Sequence, residues 1–189
     1  MIHPRRFRPL AVLALLLIWS GCAPGGPAEH HHEGARSAAS ASSGPSEASR
    51  MVCGGFVLRQ LAGALGGEPV TAPVGSWDGR VYSCPYVYAA GTMVLSVRES
   101  GGAAGADFEG LRGSGGVVRE LTGLGEAAFV RADGSAVVRK DGMVLVVDVS
   151  GLPEVFGSPA RGRADVSVMA ATTVMTCWKE HIAEEVRRS

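Results

Sequence analysis

The chemistry-bearing residues of this 189-residue chain are four cysteines, five histidines and a scatter of acids. Nucleophilic catalysis needs a nucleophile with a base in reach. In the second half of the chain the only histidine is His181, beside Lys179 and Glu180, and it reads as a solvated residue near the end of a helix. There is no Gly-x-Ser-x-Gly elbow, no Gly-x-x-x-x-Gly-Lys phosphate loop and no Cys-x-x-Cys pair. Asp107, Glu109 and Glu126 are carboxylates of the kind a glycosidase pairs, but their spacing singles out no pair. Asp148 interrupts an apolar run and reads as an outward or strand-end acid. The run Glu29-His30-His31-His32-Glu33 has the composition of a metal-capture tract. Three adjacent histidines with no nearby cysteine do not preorganise a closed four-ligand site, so it reads as a polar run. We therefore expect no enzyme, no cofactor and no metal centre. A hydrolase is the least favoured class. Tyr82, Tyr86 and Tyr88 are the one aromatic cluster, either a candidate binding surface or packing beneath the first helix.

Cys22 carries a different chemistry. Arg5, Arg6 and Arg8 form a basic head, residues 10–19 are uninterrupted apolar, and Ser20-Gly21 precede the cysteine. That is an export signal with small residues at its cleavage point. The apolar run is half the roughly 20 residues that a spanning helix needs. Small residues before cysteine predict a lipoprotein, with residues 1–21 removed and Cys22 lipidated. Trp19 stands where an aliphatic residue is usual; the alternative is an ordinary signal and a soluble secreted protein. The expected location is the extracytoplasmic face of the cell membrane, the membrane itself being a partner through the lipid.

Three of the 18 basic residues fall in the signal, leaving 15 against 18 acids, a net charge of −3. That balance excludes a nucleic-acid binder that works by a basic footprint. Residues 22–50 form the expected tether. From 23 to 50 there is no Val, Ile, Leu, Met or aromatic residue, too little apolar surface to offset chain entropy. A coil of that length has an r.m.s. reach of about 30 Å. Residues 51–189 make one domain.

Within that domain the spacing of Val57, Leu61, Ala64 and Leu65 predicts a helix over 56–65, ended by Gly66-Gly67. Alternation predicts strands over 80–88 and 92–98; Pro85 confines the first to an edge or a bulge. Ala104, Phe108 and Leu111 mark a second short helix. Residues 126–149 read as three strands joined by Asp133-Gly134 and Asp141-Gly142, pairs suited to tight hairpin turns. A long apolar stripe from Val166 to Trp178 predicts a final helix over 165–185. The order α-β-β-α-β-β-β-α implies an α+β two-layer sandwich, an antiparallel sheet of about five strands with its helices on one face.

Cys22 after a signal, a Ser/Ala tether, Cys53 before the first helix, Cys84-Pro85-Tyr86 and Gly123-Leu124-Gly125-Glu126-Ala127-Ala128 together resemble the actinobacterial lipoproteins that carry a domain of unknown function. Tyr86 stands where that pattern usually has Trp, and Cys177 has no counterpart in it. Three cysteines beyond Cys22 allow three pairings, including Cys53 with Cys177. The resemblance implies a bridge between Cys53 and Cys84; Cys177, on the apolar stripe of the last helix beside Val174 and Trp178, is expected as a buried free thiol. It implies no activity. The expected function is a non-catalytic binding or sensor module at the cell surface, its ligand a small molecule, wall component or envelope protein. The alternative is an accessory subunit of an envelope enzyme or transporter.

Overall fold

A computed structural model describes residues 44–188, with side chains through Trp178. The signal, Cys22 and the histidine run lie outside the described residues, as does the side chain of His181.

Secondary structure is present within the segment expected as tether. Ser46 caps a short helix α1 (Glu47–Arg50), its hydroxyl accepting from the Ser49 amide at 3.1 Å. Ser49 is fully buried, and Trp178 Nε1 donates to the Ala48 carbonyl at 2.9 Å. Residues 46–50, expected as tether, are thus docked on the domain. Polar side chains that cap and bond, rather than apolar ones, anchor this segment. A 3-10 turn (Met51–Cys53) leads into α2 (Gly55–Leu65). Val57, Leu61 and Leu65 repeat every four residues on its buried face, and Gly66 ends it with φ of 70°.

Seven strands follow: β1 (Ser76–Trp77), β2 (Val81–Tyr88), β3 (Gly91–Glu99), β4 (Val117–Leu121), β5 (Ala127–Arg131), β6 (Ala136–Lys140) and β7 (Met143–Asp148). They form one antiparallel sheet in the order β1-β2-β3-β7-β6-β5-β4. α3 (Ala104–Gly115) carries the chain from β3 to β4 at the far edge. A small pair, β8 (Val155–Phe156) and β9 (Arg161–Gly162), precedes α4 (Arg163–Arg188). Between α2 and β1, residues 68–75 run beside the outer edge of β2, where the Val70 amide donates to the Val87 carbonyl at 2.7 Å. β1 pairs only with Tyr82 and Ser83, so Pro85 sits where its missing N–H costs no strand partner.

The α+β class and the antiparallel sheet hold, while the count of five strands and the single helical layer are corrected. β1 and β4 were too short or too polar on one side to register as strands. α2 and α4 pack on one face, over Cys84, Tyr86, Met93, Leu95, Val97, Val138, Leu145 and Val147. α3 packs on the other, where Phe108 meets Phe129, Val137 and Val144. Strands β5 to β7 are apolar at successive residues, not alternate ones, so both of their faces need cover. Over these strands the domain therefore has three layers.

The link between α1 and the sheet is a carboxylate. Glu99, at the end of β3, accepts from the Ser46 amide at 2.7 Å and the Ser49 hydroxyl at 2.5 Å. Burial pushes its carboxyl up, but the bonds from Ser49 and Ser46 outweigh that and hold it below its ordinary value of 4.5. A depressed folded value means the contribution is present above pH 4.5 and is lost as pH falls through the folded value. We expect the fluorescence of Trp178, which touches α1, to change on acidification below that range, and Glu99→Gln to remove this step. An identical acid profile in the variant would show that Glu99 does not hold α1.

Candidate functional site

β2 is the strand on which the sequence places most of its candidate residues. Its pleat sends Tyr82, Cys84, Tyr86 and Tyr88 to the face beneath α2 and α4. Cys84 is joined to Cys53, with Cα atoms 5.5 Å apart, and the bridge fastens the turn before α2 to the sheet. Cys177 lies outside the bridge, buried on α4, with its thiol donating to the Thr173 carbonyl at 3.3 Å.

The tyrosines do not form a surface. Tyr86 is fully buried and donates to the Val52 carbonyl at 2.5 Å. Tyr88 is 7% exposed, with its ring edge-on to Phe156 at 5.0 Å. Burial pushes both phenols up, Tyr88 to about 12 and Tyr86 further, with a minor push from neighbouring Tyr88 and Cys177 on Tyr86. Tyr82 is half-buried and lies against Gly75, where a side chain would strike its hydroxyl. The cluster offered as a candidate binding surface is corrected to core. An aromatic strand reads alike in both settings, and only the position of α2 and α4 decides between them.

The acids are committed to local partners. Asp107 accepts from the Ser100 hydroxyl and pairs with Arg80 at 2.5 Å; the Ser100 bond, against a smaller burial effect and aided by Arg80, keeps its carboxyl below the usual range. Glu109 pairs with Arg112, and Glu126 with Arg139, both at 3.3 Å. Asp148 is half-buried at the end of β7 and accepts from the Ser150 amide at 2.9 Å and hydroxyl at 2.6 Å. Among the described residues no group of three or more His, Cys, Asp or Glu is placed to hold a metal ion.

The exposed flank of α2 is where the surface becomes concave. One groove, of about 210 Å³, lies between α2 and α4 and is lined by Phe56, Gln60, Thr172, Thr173 and Thr176. The three threonine hydroxyls each donate to the carbonyl four residues back, at 2.8 to 3.0 Å. Those bonds use the threonine donors, Gln60 remains as a polar side chain of the wall, and Phe56 beside it is 46% exposed. A second groove, also about 210 Å³, lies between α2 and residues 68–73 and is lined by Leu58, Pro69, Pro73 and neighbours. Arg59 and Glu68 stand on it with no ion-pair partner among the described residues. Sequence reasoning missed this region. The available signal was Phe56 itself, a large aromatic lying off the Val57–Leu61–Leu65 stripe of its helix.

No family model, curated protein or solved structure matches this chain. No described helix is long and apolar enough to cross a membrane.

The bridge and the two phenols yield paired predictions. Closing a loop of 31 residues should stabilise the domain by roughly 3–4 kcal/mol. Urea unfolding with and without reductant measures that difference, and peptide mapping should recover Cys53 cross-linked to Cys84. Tyr86→Phe leaves the Val52 carbonyl without its donor and should cost about 1–3 kcal/mol. The Tyr88 hydroxyl has no hydrogen-bond partner among the described residues, so Tyr88→Phe should cost nothing or stabilise. Equal losses in the two variants would contradict the assignment.

Proposed function

We propose that this chain is a lipid-anchored binding module of the extracytoplasmic membrane face, without catalytic activity, that meets a wall component or envelope protein through the outer side of α2. The observation that carries the location is a bridge, Cys53–Cys84, in a chain that begins with an export signal. Disulfides persist in oxidising compartments, so both features point to the same side of the membrane. The resemblance to lipid-anchored actinobacterial proteins supports the same reading. Support for the binding side is the half-exposed Phe56 on one groove of α2, with Arg59 and Glu68 on the other and without an ion-pair partner among the described residues. Exposed aromatics and arginines in such settings supply most of the energy of association.

A lipid on Cys22 carries two or more acyl chains, where a single chain gives only marginal anchoring. Cys22→Ala should release the protein from membranes or leave the unprocessed precursor. Unchanged retention together with an unchanged N-terminal mass would sink the anchor. The binding side is tested separately, by cross-linking capture from the envelope with wild-type protein and with Phe56→Ser. The variant should lose at least about tenfold of the captured species, the loss expected for an anchor residue. Equal capture would move the site off α2 while leaving the anchor standing.

A further inference from the structure

α3 devotes four of its 12 residues to glycine: Gly105, Gly110, Gly113 and Gly115. Packing asks for glycine at one of them. A side chain at Gly115 would strike Arg131, whereas Gly105 has only ordinary contact with Arg139, and Gly110 and Gly113 face open space. Relative to alanine, each needless glycine weakens a helix equilibrium by about four- to fivefold. At the N-terminus Ala103 in the cap position makes no side-chain bond, and Asp107 is the acid of the first turn. Glycine pairs flank it: Gly101-Gly102 in the 3-10 turn (Gly101–Ala103) that precedes it and Gly115-Gly116 at its end, with Gly101 and Gly116 at φ of 51° and 62°.

What holds this helix down is a small apolar patch with ion pairs around it, Asp107 with Arg80 and Arg112 with Glu120. Ala104 and Phe108 are its buried residues, and Leu111 adds partial cover. Arg112 and Arg139 lie over the Phe108 ring at 5.4 and 5.5 Å. The opposite layer, with α2, α4 and the bridge, has its own larger core and shares no buried residue with this one. Removing α3 from the sheet leaves that core intact. It uncovers Phe129, Val137 and Val144, all fully buried at present. Val144 is in register with Arg98 of β3, so the uncovered strip joins the half-exposed part of the same face.

We infer that α3 is a lid. It unwinds and leaves the sheet as one cooperative unit between its two glycine pairs, while the sheet and the α2–α4 layer stay folded. The device is independent of the lipid anchor and of the α2 surface. Regions that open below the global unfolding limit do so as contiguous units, visible in amide exchange.

Native-state hydrogen exchange on the mature chain, followed across sub-denaturing urea, tests the lid. α3 amides should exchange at least about 100-fold faster than those of β6 and β7 and respond little to urea, while the β6 and β7 amides accelerate with it. The double substitution Gly110→Ala and Gly113→Ala, at sites with room for a methyl group, should slow α3 exchange by about 15- to 30-fold. Exchange of α3 at the rate and urea slope of β7 overturns the lid. So does a double variant in which α3 exchange is unchanged.

Discussion

The pairing of β3 with β7 is the contact on which everything else rests. It runs from Val94↔Asp148 to Glu99↔Met143 and is the one ladder joining the β1-β2-β3 meander to the β4-to-β7 meander. The other ladders of the sheet form between strands that are neighbours along the chain and close short loops. This one spans the α3 crossover, so its loop-closure entropy must be met by burial on both faces. Its register puts Leu95, Val97, Leu145 and Val147 toward α2 and α4 and Val144 toward α3. A slip of one residue would exchange the two faces and leave each helical layer without its partner side chains.

Much of this was legible where local pattern and global position agree. The turn Asp141-Gly142 has both residues at positive φ, 51° and 73°, the geometry that an Asp-Gly hairpin signals. Asp133-Gly134 is a looser link, with only Gly134 at positive φ, although the same dipeptide marks it. The final helix is broad and regular because Val166, Ala170, Val174 and Cys177 keep one face apolar. The near-continuous apolar run of β7 signalled cover on both sides, but attributing all helices to one face set that signal aside. β4 escaped because Val118, Arg119 and Glu120 are exposed, so it shows no buried alternation to read.

The candidate residues divide along the same line. A bridge between Cys53 and Cys84 is visible to sequence because the two lie close along the chain, at the start of the first helix and in the first hairpin. Burial of Tyr86 and Tyr88 is invisible, because an inward and an outward tyrosine row have the same period. The start of the domain was hidden for a related reason. Ser46 and Ser49 look like tether, yet one carboxylate, Glu99, turns them into a docked cap. Polar anchoring depends on a partner 50 or more residues away, and composition carries no trace of it.

The two edges of the sheet differ in build but share a property. Along β2 the chain lays down residues 68–75, with Pro69 and Pro73 among them, and the Val70 amide there donates to the Val87 carbonyl of the outer row. At the other edge β4 is five residues long, shifts register between Val117 and Arg119, and presents Arg119 and Glu120. Blocked, bulged and charged borders are the ways proteins prevent sheets from zipping to one another. Borders of this kind keep copies of the chain separate and prevent a growing ribbon of shared strands.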